Sequence, residues 1–316
     1  MALILSAIAA IATLSSRPLI ASLPTTQNEL ENLTSNTMDG QRTAVSPVPH
    51  SKASQSQCPA GVLPYSSLRY SNASMYSLHI ESTTGGELHY FGVIHTNDPQ
   101  HPQFEQLEQD FYQVQPTIVF YEGPARSLPD TRNRAIEDAG DPGLIRHLAT
   151  QHHIPIAQLE PSRQAEIDIL LERFTPEQVK LFYVLRQVAE LREVWNMTSK
   201  VELQQAVIQS IDQLSAFDGL KTVITNLEDF ETSYQKHWQT AIHWWHVPRQ
   251  WFHPVLTVEE TGGIFTNDMH RIASTFRNQH MVQVLSDAVN QGHRVMASVG
   301  KGHLPLQSSA LECLIQ

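Results

Sequence analysis

The chain has 316 residues, 41% hydrophobic and 17% charged, enough to bury one large core or two small ones and too apolar for a wholly disordered chain. Its 21 Lys and Arg against 32 Asp and Glu give a net charge of −11 with no basic stripe, which argues against a nucleic-acid partner. Two cysteines, Cys58 and Cys313, exclude a zinc-finger spacing and a disulfide framework, and leave either one bridge or two free thiols.

The N-terminus opens on an apolar run over residues 1–14, too short to span a bilayer comfortably. It fits the apolar stretch of an export signal, with small residues near Ala21 and Ser22, although no Lys or Arg precedes it. Residues 1–22 are therefore expected to direct export or to associate with a membrane as an uncleaved anchor. Residues 23–75 are rich in Ser, Thr, Gln, Pro and Asn and are expected to form a disordered tether.

The folded domain is expected over 76–316. Alternation over 77–82 and 87–94, joined by Thr83-Thr84-Gly85-Gly86, predicts a hairpin. Phe104, Leu107 and Phe111 stand at helical spacing within 101–114. Strands are predicted over 117–121 and 154–159, with a helix over 142–151 between them. Helices over 164–173, 176–194 and 200–215 point to a helical insertion spanning 163–265. A long helix over 266–291 and a strand over 294–299 restore the alternation. The fold class is α/β, with a mixed, partly parallel central sheet and flanking helices.

Three residues share one expected position. His95 follows the second hairpin strand within Gly92-Val93-Ile94-His95, Glu122 ends the strand over 117–121, and His303 follows the last strand within Gly300-Lys301-Gly302-His303. In open α/β sheets ligands bind beyond the carboxyl ends of the strands. The glycines are read as places where the backbone turns sharply. Two His and one carboxylate form a common shell for a catalytic divalent ion. Spacing alone does not decide the matter, because Gly and His three apart arise by chance roughly 0.7 times in this composition. A third copy, Gly86-Glu87-Leu88-His89, precedes its strand rather than following it and is read as coincidence. Arg277 lies on a helix face shared with Ala273, Met281, Val284 and Ala288, so its charge needs a partner, for which Glu122 and Glu160 are candidates. The segment 236–254 holds four Trp and four His, with His243 and His246 three apart. It is read either as an aromatic packing knot or as a lid, membrane patch, haem contact or metal pair.

The ordered set YFGVIH, FYEGP, LEP, RNQHM and ASVGKGHLP resembles the TraB/PrgY/Tiki/GumN superfamily over about 77–161 and 266–305. The resemblance implies an exported, Tiki-like metal-dependent hydrolase or protease acting on a peptide or protein substrate. It implies Mn, Co or Zn held by His95, His303 and Glu122. Arg277, with Asn278 beside it, matches the family's Arg-Asn motif and would stabilise an oxyanion or orient Glu122, which counts as catalytic as well as ligating. Glu160 would serve as general base. The competing reading is a haem-binding or peptide-sequestering protein that uses the same His pair without turnover. Two departures stand out: Gly-Pro directly after Glu122, and only thirteen residues after His303.

Overall fold

The structure, a computed structural model, describes residues 61–70, 76–124 and 127–316. The expected export segment, most of the expected tether, the sequence around Cys58 and the possible membrane contact of residues 1–22 lie outside the described residues. Among the described residues no cysteine is free, since Cys313 is disulfide-bonded, and no helix is long and apolar enough to cross a membrane.

The hairpin forms as its alternation predicts. Strands β1 (Ser77–Glu81) and β2 (Glu87–Val93) pair antiparallel. Gly85 takes a φ of 83°, which glycine adopts without strain. Gly86 packs so closely that a Cβ would lie 1.9 Å from the Val289 carbonyl oxygen. Helix α1 (Pro102–Val114), strand β3 (Ile118–Tyr121), helix α2 (Arg132–Gln151) and strand β4 (Ile156–Gln158) follow. Helices α3 (Arg163–Leu171), α4 (Pro176–Glu193), α5 (Lys200–Leu214), α6 (Leu227–His237) and α7 (Val258–Thr261) fill the expected helical segment. Helix α8 (Thr266–Asn290), strand β5 (Arg294–Gly300) and helix α9 (Leu304–Leu314) complete the fold.

The five strands form one sheet in the order β1-β2-β5-β3-β4, antiparallel only between β1 and β2. This is the mixed α/β sheet that the strand–helix alternation predicts. Its parallel part brings the carboxyl ends together: Val93 pairs with Gly300, and Tyr121 pairs with both Ser298 and Gln158. One face packs Phe91, Val119 and Met296 against α1 and α2. The other packs Leu88, Tyr90 and Val295 against α9 and the second half of α8. A third core lies within the helical segment and takes in Met269 and Ala273 from the first half of α8. Helix α8, about 37 Å long at 1.5 Å per residue, thus runs from one core into another, and Arg277 falls at the junction.

Two sequence expectations need correction. The expected tether is not disordered throughout: within it, residues Tyr65–Tyr70 form a 3₁₀ helix, Val62 packs against the sheet core, and the Leu63 N–H donates to the Leu306 carbonyl (2.9 Å). Val62, Leu63, Tyr65 and Leu68 are too few to set a period beside the Ser-rich stretch that precedes them. The helix expected from 142 begins ten residues earlier and breaks at Gly140 (φ 63°), so Asp141 and Pro142 restart it. Of the readings of 236–254, the aromatic packing knot is the one that burial supports. Trp238, Trp244 and Trp251 are buried, Trp238 stacks on Trp251 at 5.1 Å, and His243 lies against Trp245 at 4.3 Å instead of sharing an α-helical face with His246.

Lys180 on α4 is fully buried and donates to Ser215 Oγ (2.7 Å) and to the carbonyls of Leu220 (3.2 Å) and Val223 (2.9 Å). Burial pulls its pKa from 10.5 to about 8, opposed by Asp212 and Asp229. The unfolded chain therefore holds this proton more tightly, and the group's contribution to stability rises as pH climbs from about 8 to 10.5. Lys180→Met removes that slope and leaves the buried Leu220 and half-buried Val223 carbonyls without this donor, at a cost of about 2–4 kcal/mol. Melts at pH 7 and pH 10 should show the Tm gap to wild type widening at the higher pH; an unchanged gap refutes the assignment.

Candidate metal centre

Each residue of the expected site stands just past a strand end. His95 follows β2 by two residues. Its loop is held by Gln103, which donates to the Ile94 carbonyl (2.7 Å) and accepts from the Ile94 N–H (3.0 Å). Glu122 directly follows β3. His303 closes the turn after β5, its N–H bonded to the Gly300 carbonyl (2.9 Å), and starts α9.

The sheet brings these three together. His303 Nε2 lies 3.3 Å from one oxygen of Glu122, and His95 Nε2 lies 3.6 Å from the other. The Gly300 N–H donates to Glu122 Oε2 at 2.6 Å. Glu122 and His303 have only 12% of their side chains exposed, whereas His95 has 59% and marks the open side of the site. Burial pushes the Glu122 carboxyl up, but the hydrogen bond and charge of His303, the charge of His95 and the Gly300 N–H outweigh it and hold the group at about 2. The hydrogen bond to Asp141 raises His95 to about 9 against burial, helped by the charge of Glu122.

The far side of each imidazole is fixed. His95 Nδ1 lies 3.3 Å from Asp141 Oδ1, and the Asp141 carboxylate, 1% exposed, also accepts from Ser298 Oγ (3.0 Å). His303 Nδ1 lies 2.8 Å from Asn278 Oδ1. The orientation of that amide follows from its other end, because Asn278 Nδ2 reaches the Ser274 carbonyl (2.7 Å), which can only accept. Gln307 donates to the same Asn278 oxygen (2.6 Å) and accepts from the buried Tyr90 hydroxyl (2.8 Å), while Tyr65 OH lies 3.2 Å from Asn278 Nδ2. Both Nδ1 atoms are therefore donors. Both Nε2 atoms then face a carboxylate either as bare lone pairs, which repel it, or as charged N–H groups. The arrangement calls for positive charge between the rings and the carboxylate, supplied by protons or by a cation.

The donor set suits a divalent ion: two imidazole nitrogens whose outer nitrogens are held by acceptors, and one ionised carboxylate. The three donor atoms do not yet converge on one point. Among the described residues only His79, Glu87 and His89 have ligand atoms that all lie within 4.8 Å of one another.

Arg277 points into this region from α8. It donates to Glu160 Oε1 at 2.8 Å and lies 3.9 Å from Glu166, whose carboxylate also takes Arg163 (2.9 Å) and Tyr183 OH (2.8 Å). The partner foreseen for Arg277 is thus Glu160 rather than Glu122. The other Glu160 oxygen accepts the Gly123 N–H at 2.9 Å. Arg277 Nε is buried without a hydrogen bond. Burial pulls its guanidinium down, but Glu166 and Glu160 prevail and raise it.

Sequence reasoning missed Asp141, Ser298, Gln307 and Tyr65. Asp141 offered one signal, an acid between Gly140 and Pro142, and this reads as a helix cap. The role given to Gly300 also changes. It does not adopt the left-handed conformation; a Cβ there would lie 2.7 Å from His95 Nε2. Gly300→Ala should therefore push the exposed His95 ring off Glu122 while shifting Tm by less than about 2 °C. NMR of the imidazole resonances checks this; an unmoved His95 would count against it.

No family model, curated protein or solved structure matches the chain.

Proposed function

We propose that the chain is an exported metal-dependent hydrolase that cleaves a peptide or protein amide. The observation that carries this reading is the facing of two pinned imidazoles onto opposite oxygens of one buried carboxylate at the carboxyl edge of a parallel sheet. The resemblance of the same residues to the TraB/PrgY/Tiki/GumN motifs supports it. His95, His303 and Glu122 would hold the ion, with Mn, Co or Zn compatible with this shell. When bound, such an ion polarises a carbonyl and makes a water nucleophilic near neutral pH. Glu122 remains ionised throughout the working pH range and supplies the anionic ligand. Arg277 supplies a fixed cation for the developing oxyanion. Glu160 has both oxygens engaged, so in this reading it positions Arg277 instead of acting as the free general base. His95, on the open side, sets the direction of substrate approach.

Elemental analysis tests the reading. Purified protein should carry about one divalent ion per chain more than the double variant His95→Ala, His303→Ala, which should also lose peptide hydrolysis. A Soret band would favour the haem-binding alternative, against which Glu122 already stands between the two Nε2 atoms. Equal metal content in both proteins would remove the site.

A further inference from the structure

The hairpin carries a second cluster, independent of the site just described. Backbone bonds from Ser82 N–H to the Gly86 carbonyl (2.8 Å) and from Gly92 N–H to the Tyr76 carbonyl (2.7 Å) mark the hydrogen-bonded pairs of the β1–β2 ladder. Alternation then makes His79–His89 and Glu81–Glu87 non-hydrogen-bonded pairs, in which side chains approach most closely. Both pairs lie on one face, two residues apart. The two imidazoles stack at 4.3 Å with an interplanar angle of 21°, and Glu87 Oε2 lies 3.1 Å from His89 Nε2.

This pairing sets like against like. A ladder selected for strand pairing alone would place each Glu opposite a His, because like charges directly opposite destabilise a sheet. Here two carboxylates face one another beside two imidazoles that cannot both take a proton without repulsion. A divalent cation removes both conflicts. The ligand atoms of His79, Glu87 and His89 already lie within 4.8 Å of one another, with His79 exposed and the other two half-buried. The cluster is about 13 Å from the carboxyl end of β2, four residues at 3.3 Å each, so it is separate from the Glu122 site.

We propose that His79, Glu87 and His89 form a zinc-binding clip that fastens edge strand β1 to β2, with Glu81 adding negative charge beside it. Two imidazoles and one carboxylate favour Zn²⁺ over Mg²⁺ or Ca²⁺, which prefer all-oxygen shells.

The test uses the full chain carrying His95→Ala and His303→Ala, so that the outcome does not depend on the hydrolase reading. Calorimetric titration with ZnCl₂ should show one equivalent bound with low-micromolar affinity or better, and Zn²⁺ should raise Tm by a few degrees. Adding His79→Gln, an exposed change that spares the core, should weaken binding by more than about 100-fold and abolish the Tm rise. Glu81→Lys should raise the Tm of the metal-free chain, by relieving the repulsion with Glu87, and lower Zn²⁺ affinity. Absence of Zn²⁺ binding in the starting variant, or undiminished binding after His79→Gln, would overturn the proposal.

Discussion

On the proposed reading, Glu122→Gln is expected to abolish divalent-ion binding at the sheet edge while leaving the fold intact. The amide is isosteric, and its oxygen can still accept the Gly300 N–H that now meets Glu122 at 2.6 Å. What disappears is the negative charge between two imidazoles whose outer nitrogens are committed as donors to Asp141 and Asn278. A neutral amide compensates neither an ion nor two imidazolium groups. Bound metal should fall to the level of the His95→Ala, His303→Ala variant, and peptide hydrolysis by on the order of 10³-fold. Tm of the metal-free chain should fall by several degrees, up to about 10 °C, since the buried carboxylate is lost while both imidazoles stay behind. Metal analysis and a melt on one preparation settle the outcome. A Glu122→Gln protein that keeps its metal and its activity would show that the two imidazoles face this carboxylate for structural reasons alone.

The strand-end placement of His95, Glu122 and His303 was legible because period-two alternation fixes where strands stop, and the carboxyl ends of parallel neighbours share one edge. That Arg277 needs a carboxylate at the sheet edge was legible from an arginine set in an apolar helical stripe, but the choice of Glu160 over Glu122 came only with the structure. The supporting shell was not. Asp141 is placed by a backbone break at Gly140, where a Cβ would come within 2.9 Å of the Thr96 carbonyl oxygen, a contact that no local pattern encodes. Gln307 lies on α9, whose opening Leu-Pro-Leu follows the last strand too closely to be separated from it. Tyr65 comes from a segment whose composition reads as tether, yet it contacts the amide that orients His303. The hairpin cluster was dismissed from one strand alone; its meaning depends on the register that places His79 across from His89.

Replacement of Arg277 divides into two variants with opposite signatures. Arg277→Met fills similar volume without charge. Glu160 then keeps only the Gly123 N–H, and Glu166 keeps Arg163 and Tyr183. Removing one partner from a buried pair typically costs about 3–5 kcal/mol, which for a domain of this size corresponds to a drop of about 10 °C in Tm. Arg277→Lys retains the charge but loses the planar fork, so a single ammonium must choose between Glu160 and Glu166. Its Tm should fall much less than that of the Met variant, because both carboxylates keep a nearby cation. If the guanidinium meets the oxyanion, hydrolysis in the Lys variant should still fall by about 10²–10³-fold in kcat, with bound metal unchanged because no ion ligand has been touched. If Arg277 serves only to lock α8 onto the strand-end loops, the Lys variant should keep its activity and lose a little stability. The ratio of kcat loss to Tm loss across the two variants thus assigns the residue, and an active Arg277→Lys protein would reduce it to a positioning element at the junction of the two cores.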